Sequence, residues 1–199
     1  MSQNIIDINV INNNIKISGA ISLNIQVSEQ FGYIGSQEIV IYGTNKVFHY
    51  VFANYNTNER QERLIAKLFF LQYEYFLPEF MQSFNYRSKD IIELGGISWQ
   101  RDNFIDKTTL DNWDPKSDVY QLITFLEKKN FSFPIWTWNN RLAKMLNEEK
   151  NQELLILYIE EIPQDIMKTL FSNGKVVENQ WEKEKIELKK RLFSAFTVL

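Results

Sequence analysis

Apolar and polar residues alternate along the first quarter of the chain. Every second residue from Ile21 to Val27 is apolar, and polar residues occupy the positions between them. A period of two is typical of a strand that buries one face. The same alternation, interrupted by turn residues, indicates two hairpins, formed by residues 6–10 with 15–17 and residues 38–42 with 46–53. The pattern therefore predicts an antiparallel N-terminal sheet of four or five strands over roughly residues 5–53.

The pattern changes between residues 58 and 77, where nearly every position is apolar. Leu64 and Leu68 follow helical spacing, and aromatic residues fill most of the remaining surface. Asn58 can cap the first turn of such a helix, and Pro78 would end it. A helix that is apolar on nearly all sides must be covered by other parts of the chain. We therefore predict a long core helix over residues 58–77, with Leu68 at a buried position.

The remainder of the chain shows helical spacing in shorter pieces. Helices are predicted over the segments 86–94, 118–129, 139–149, 153–161, 165–171 and 177–196. Gly95-Gly96 and Asn173-Gly174 are predicted as turns. The sequence thus predicts one α+β domain over residues 1–199, with a β-rich portion at 1–56 and an α-helical portion at 57–199. In this fold the N-terminal antiparallel sheet packs on the long apolar helix and is followed by a mainly helical C-terminal part.

Composition narrows the class of protein. The chain has 199 residues, of which 44% are hydrophobic, and this composition supports a folded core. It contains no cysteine, which excludes disulfides and cysteine ligands to metals. A net charge of −3 argues against binding to nucleic acid. Lys67 and Glu74 interrupt the apolar run well before the ~20 residues that a membrane span requires. The first residues lack the basic and apolar regions of a secretory signal, so a cytoplasmic protein is predicted.

Few residues in the sequence are placed for catalysis. His49 is the only histidine. It lies on a predicted strand without the second ligand of a metal motif, so a structural role is predicted. Glu74 lies inside the apolar run, where burial would raise its pKa as in general acids; the alternatives are an exposed helix edge or an ion pair. Paired glutamates elsewhere are typical of solvated helix faces. We therefore assign no catalytic residue, no metal and no cofactor.

The region between residues 134 and 165 combines aromatic and acidic side chains. Two tryptophans flank Thr137, and exposed tryptophans of this kind anchor protein interfaces; packing in the core is the alternative. The acidic residues that follow would steer a basic partner. The predicted partner-binding residues are Trp136, Trp138, Glu148, Glu149, Glu160, Glu161 and Asp165.

Two classes of function fit these features. The first is a non-enzymatic protein-binding protein, such as a cytoplasmic inhibitor or immunity-type protein that neutralises a basic toxin or effector. The alternative is a small carboxylate-dependent enzyme, a hydrolase or nuclease, whose site is assembled from residues far apart in the chain. A pocket that holds two or more carboxylates would favour the enzyme, whereas a flat acidic or aromatic surface would favour the binding protein. The pattern leaves the oligomeric state open.

Overall fold

The computed structural model describes residues 6–80, 82–86, 88, 90–172 and 175–199. Strands account for 52% of the described residues and helices for 20%. The prediction of an α+β fold, with a sheet packed on a long apolar helix and a mainly helical C-terminal part, is therefore wrong. The predicted turn at Asn173-Gly174 lies outside the described residues.

The elements follow one another along the chain as strands with three intervening α-helices in the described part. The strands are β1 (Asp7–Ile11), β2 (Asn14–Ser18), β3 (Leu23–Val27), β4 (Gly32–Ile41), β5 (Asn45–Thr57), β6 (Arg63–Phe76), β7 (Asp90–Leu94), β8 (Ile97–Lys107), β9 (Phe131–Ser132), β10 (Trp136–Met145), β11 (Gln152–Glu161), β12 (Phe171–Ser172), β13 (Lys175–Val176) and β14 (Phe196–Val198). The helices are α1 (Asp118–Glu127), α2 (Gln164–Leu170) and α3 (Glu178–Ala195), with a short 3₁₀ helix at Leu110–Asn112.

Two sheets contain most of these strands. The smaller sheet has the order β1-β2-β3-β14 and is antiparallel throughout. The larger, eight-stranded sheet has the order β4-β5-β6-β11-β10-β8-β7. Its neighbours are antiparallel, except that β9 pairs in parallel with the start of β6. β12 and β13 form a separate pair.

The predicted N-terminal strands are confirmed, but they belong to two sheets. β1 pairs with β2, and β4 pairs with β5, as the two hairpin patterns predict. β3 buries Leu23, Ile25 and Val27 and exposes the residues between them more, as its period of two requires. Because β1, β2 and β3 lie in the smaller sheet while β4 and β5 begin the larger one, a single N-terminal sheet does not form.

The segment predicted as the core helix is β6, in the middle of the larger sheet. β5 and β11 pair along its two edges, and its residues from Leu68 to Tyr75 are buried. A strand covered on both faces has apolar residues at nearly every position, so its pattern resembles that of a buried helix. Leu68 is fully buried as predicted, but in a strand. β6 ends at Phe76, before Pro78, which has no N–H to donate to a ladder.

Three other predicted helices are strands. The segments 139–149 and 153–161 form the hairpin of β10 and β11, which lies between β8 and β6. All residues of β11 from Gln152 to Ile159 are buried, so no alternation of polar and apolar residues marks it as a strand. Of the segment 86–94, residues 87 and 89 lie outside the described residues, and residues 90–94 form β7, which makes a hairpin with β8 across Gly95-Gly96.

The remaining three predicted helices are confirmed as α1, α2 and α3. α1 begins after Ser117, whose Oγ accepts a hydrogen bond from the Tyr120 N–H at 3.2 Å. α3 buries Trp181, Leu188 and Leu192 along one side and exposes charged residues on the other. In the described part of the chain, no helix is long and apolar enough to cross a membrane.

The larger sheet separates two layers of the core. One face, which carries Phe69 and Trp99, packs against the smaller sheet and α3. The opposite face, which carries Leu68 and Phe70, packs against α1 and Phe131 of β9. Successive side chains of a strand point to opposite faces. Every second residue of the central strands therefore points toward α1.

Candidate functional site

Polar side chains interrupt the apolar layer between the larger sheet and α1. They surround a cavity of about 50 Å³, whose polar lining residues are His49, Gln72, Asp106, Thr108, Asp118 and Asn139. Phe104, Phe133 and apolar residues of α1 complete its walls. The polar residues that belong to strands all occupy positions on the face toward α1. Two carboxylates therefore reach one cavity, Asp106 from β8 and Asp118 from α1.

The two aspartates of the cavity have different surroundings. Asp118 Oδ1 accepts a hydrogen bond from the Val119 N–H at 2.8 Å, and Asp118 Oδ2 lies 3.5 Å from Gln72 Nε2. The N-terminus of a helix, where Asp118 lies, carries partial positive charge that attracts a carboxylate. Burial raises the pKa of Asp106 above its usual value, and the charge of Arg141 only partly opposes this. Asp106 thus keeps its proton to a higher pH than an exposed aspartic acid.

His49 is buried, and both of its ring nitrogens are in hydrogen bonds. Gln37 Nε2 lies 2.9 Å from His49 Nδ1, and Gln72 Oε1 lies 3.1 Å from His49 Nε2. These contacts fit the neutral tautomer, in which Nε2 donates to Gln72 and Nδ1 accepts from Gln37. Burial lowers the pKa of His49 to about 4, although the charge of Asp118 opposes it. His49 is therefore neutral at pH 7 and orients the side chain of Gln72.

A second pair of carboxyl groups lies beside the cavity on the same face of the sheet. Glu74 of β6 and Glu153 of β11 are directly opposite each other in the ladder, and their exposed fractions are 5% and 2%. Residues opposite each other in an antiparallel ladder have Cβ atoms about 5 Å apart. Glu74 accepts hydrogen bonds from Asn45 Nδ2 at 2.5 Å and from Gln72 Nε2 at 2.8 Å. Gln72 thus connects the pair to the cavity.

Burial raises the pKa of both glutamates toward neutrality. The pKa of Glu74 rises to about 7 through burial and the charge of Asp118, despite the hydrogen bonds from Asn45 and Gln72. The pKa of Glu153 rises to about 8 through burial and the charge of Glu74. Because two neighbouring carboxylates repel each other, the two groups titrate as a unit. The pair therefore retains at least one proton at pH 7.

Tyr86 and Arg141 cover the Glu153 side of the pair. The Tyr86 hydroxyl donates to Glu153 Oε1 at 3.0 Å, and Glu153 Oε2 has no hydrogen-bond partner among the described residues. Burial raises the pKa of Tyr86 above its usual value, so the phenol stays protonated. The Arg141 guanidinium lies 4.7 Å from the centroid of the Tyr86 ring and binds Asp102 through Nε at 3.0 Å and Nη2 at 2.5 Å. This bidentate pair holds the guanidinium over the ring.

Comparison with known proteins provides no relative. The chain matches no protein-family model, no curated protein and no solved structure. Among the residues that the structure describes, no group of three or more His, Cys, Asp or Glu side chains is placed to hold a metal ion.

The acidic residues predicted to bind a partner lie at both ends of the hairpin of β10 and β11. Glu148 and Glu149 occupy the turn that joins the strands, whereas Glu161 and Asp165 are exposed near the opposite end. β10 has 10 residues and separates the two ends by roughly 30 Å, at about 3.3 Å per residue. The four residues therefore do not form one surface.

Two other residues predicted to bind a partner are engaged inside the protein. Trp138 is 4% exposed, and the Arg191 guanidinium lies 5.3 Å from its ring. Glu160 accepts a hydrogen bond from Arg191 Nε at 2.7 Å. Trp136 is half-buried, with its ring centroid 5.4 Å from that of Phe171. In this structure Trp138 is out of reach of a partner, while the partner-binding role of the exposed residues stays a prediction.

Sequence reasoning missed most of the residues around the cavity. Gln72, Asp106 and Glu153 belong to no local motif; Gln72 lies within an apolar run, whereas Asp106 and Glu153 adjoin other polar residues. Glu74 stands out in the sequence as a charge within an apolar run, whereas Glu153 follows the polar segment 147–152 and gives no such signal. Only the pairing of β6 with β11 places the two carboxyl groups side by side.

Proposed function

We propose that this protein is a small carboxylate-dependent hydrolase. The observation that carries the proposal is the cavity that holds Asp106 and Asp118 beside the buried pair of Glu74 and Glu153. A pocket with at least two carboxylates is the feature that favours an enzyme over a binding protein. Carboxyl groups whose surroundings differ can divide the roles of general acid and general base within one site.

In this proposal Asp118 is the general base and Asp106 the general acid. Asp118 takes a proton from a water molecule, whose oxygen attacks the electrophilic carbon of the substrate. Burial raises the pKa of Asp106, which favours the protonated form that a general acid needs. Asp106 donates its proton to the leaving group as the bond between that group and the carbon breaks. Gln72 Nε2 donates to Glu74 at 2.8 Å and lies 3.5 Å from Asp118. Through Gln72, the buried pair of Glu74 and Glu153 holds the general base Asp118 in position.

The size of the cavity restricts the substrate. A volume of about 50 Å³ accommodates a few water-sized groups of about 10–15 Å³ each. Only the reacting group and a water molecule fit inside, so the rest of the substrate must lie outside. Phe104 and Phe133 line the cavity and are half-buried, which places apolar surface beside that group. The geometry supports a substrate that is an ester or amide and carries an apolar group next to the bond that is cleaved.

Hydrolysis of a panel of p-nitrophenyl esters and p-nitroanilides tests this proposal. Asp118→Asn and Asp106→Asn should each lower kcat by about 10²–10⁴-fold, the usual contribution of a general base or acid. The matched control is Asp165→Asn, which changes an exposed aspartate in the first turn of α2 and should leave kcat unchanged. The double variant Asp106→Asn/Asp118→Asn serves as the inactive reference. If the parent is no more active than this reference on any substrate of the panel, the proposal is wrong.

Protein binding is our second proposal, and one observation favours it. Ile135 is 57% exposed and precedes the half-buried Trp136, near the exposed carboxylates of Glu161 and Asp165. The Ile162 N–H donates to the Trp136 carbonyl oxygen at 3.0 Å, which brings the end of β11 against this tryptophan. An apolar centre with an acidic rim suits a basic partner, such as a toxin or effector that an inhibitor or immunity-type protein would neutralise.

Binding kinetics of a partner that co-purifies from the native cell test this second proposal. Glu161→Lys should slow association and flatten its salt dependence, because the acidic rim steers a basic partner. Trp136→Ala should speed dissociation, because aromatic anchors carry much of the binding energy. Glu149→Lys, at the other end of the hairpin, is the matched control. Equal kinetics for the parent and all three variants would contradict this surface assignment.

A further inference from the structure

A wide cleft lies on the opposite side of the larger sheet, between α3 and the edge formed by β7 and β8. Its volume is about 600 Å³, which is within the range of ligand-binding pockets. Ser88, Asp90, Arg101 and Asn103 line it from the sheet side, and Lys185 and Lys189 line it from α3. None of the carboxyl groups with a raised pKa lies in this cleft. It is therefore a site separate from the cavity under α1.

The carboxylates around the cleft are already paired. Asp90 Oδ2 binds Arg101 through Nε at 2.7 Å and Nη2 at 2.6 Å. Glu182 binds Lys185 at 2.6 Å, and this contact lowers the pKa of Glu182. Asp102, which also lines the cleft, is bound by a guanidinium from the other face of the sheet. Lys189 has no ion pair with any residue that the structure describes, so the unmatched charge of the cleft is positive.

Buried polar atoms on the sheet side of the cleft also lack partners. Arg101 is only 8% exposed, and its Nη1 has no hydrogen-bond partner among the described residues. The same holds for Asn103 Oδ1, and for both side-chain polar atoms of Asn140, the ladder neighbour of Asn103. Buried donors and acceptors are nearly always paired in proteins, because leaving them unpaired is costly. The Arg101 guanidinium donor in the lining therefore needs a group that the described residues do not supply, whereas Asn103 Oδ1 lies opposite the equally unpaired amide of Asn140.

We propose that this cleft binds a small hydroxylated anion, in which a polyol skeleton carries a carboxylate or a phosphate. The anionic oxygens accept hydrogen bonds from Lys189 Nζ and, once the Arg101 side chain turns toward the cleft that it lines, from Arg101 Nη1; charged donors of this kind bind oxyanions most strongly. Asn103 also lines the cleft, and its side-chain amide can exchange hydrogen bonds with a hydroxyl group of the ligand. Ile186 lines the cleft from α3 and is 61% exposed, so it provides apolar surface for the carbon skeleton.

Calorimetric titration of the full chain with three probes tests this inference. Glucose 6-phosphate and gluconate carry a phosphate and a carboxylate on a polyol skeleton, and glucose carries neither. At least one anion should bind at least tenfold more tightly than glucose, and the comparison of the two anions identifies the preferred anionic group. Lys189→Ala should weaken that binding by about tenfold, as the loss of a charged hydrogen bond does. Lys190→Ala is the matched control, because Lys190 is exposed on α3 and already paired with Glu187 at 2.7 Å.

A second variant tests the sheet side of the cleft. Asn103→Asp places a carboxylate beside Arg101 and should abolish binding of the anion while circular dichroism shows that the fold is retained. Equal weakening by Lys189→Ala and Lys190→Ala would overturn the inference, since it would indicate attraction by overall charge. Failure of both anions to bind, or binding of glucose as tightly as either anion, would overturn it too. Asp118 lies in the cavity under α1 and not in this cleft, so Asp118→Asn should leave anion binding unchanged. Loss of anion binding therefore tests only the cleft, and loss of hydrolysis tests only the cavity.

Discussion

Replacing Glu153 with glutamine should change how the stability of the protein depends on pH. Glu153 is 2% exposed, and its Oε1 accepts the hydrogen bond of Tyr86. Glutamine has nearly the same size and keeps an oxygen that accepts this bond, but it cannot ionise. The substitution therefore removes the titration of Glu153 and leaves its packing in place.

The magnitude follows from the shift in pKa. The folded protein releases the proton of Glu153 at a pH of about 8, whereas the ordinary value is 4.5. Between these values the folded state holds more protons than the unfolded state, so the contribution of Glu153 to stability is fully present below pH 4.5. It is lost as the pH rises through about 8, by about 1.4 kcal/mol per pH unit. The parent should therefore lose on the order of 5 kcal/mol across this window through Glu153, and Glu153→Gln should not.

Urea unfolding of both proteins at intervals from pH 5 to pH 9 measures this difference. The free energy of unfolding of Glu153→Gln minus that of the parent should rise with pH up to about 8 and then level off. Glu161→Gln, at the exposed end of the same strand, is the control and should give a flat difference. A flat or falling difference for Glu153→Gln would refute the reasoning, because it would mean that the folded protein accommodates the ionised carboxylate.

Three further predictions concern the core, a turn and the histidine. Leu68→Ala should lower the free energy of unfolding by about 2–5 kcal/mol, whereas Leu64→Ala, at a 41% exposed position, should cost less than about 1 kcal/mol; denaturant unfolding measures both. Gly95 and Gly96 both have positive φ, but a Cβ at Gly95 would lie 2.6 Å from a side-chain atom of the smaller sheet and a Cβ at Gly96 would meet nothing within 4 Å. Gly95→Ala should therefore lower the melting temperature clearly more than Gly96→Ala. Because the pKa of His49 falls from 6.5 to about 4, the unfolded state binds the extra proton in this window and the parent loses stability as the pH falls through it. The free energy of unfolding of His49→Gln minus that of the parent should rise by about 1.4 kcal/mol for each pH unit below 6.5, as measured by urea unfolding.

The sequence alone determined the secondary structure of elements that have one buried and one exposed side. β3 buries one face and leaves the other partly exposed, and α3 buries a stripe of apolar residues while its other side carries charge. Helical spacing from residue 118 predicts α1, and the structure shows that the Ser117 hydroxyl accepts a backbone hydrogen bond within the first turn. In each of these elements the contrast between buried and exposed positions repeats with the period of the backbone, so local reasoning identifies it.

Only the tertiary structure decided the conformation of β6 and β11 and the site that lies on them. Both strands are covered on both faces, and a strand of this kind has the same apolar composition as a buried helix. The difference lies in where the backbone groups bond, and those of β6 bond to β5 and β11 rather than to their own next turn. The same ladder sets Glu74 opposite Glu153, and covering layers from elsewhere in the chain bury them. Their raised pKa values arise from that register and that burial, and neither is present in the local pattern of residues.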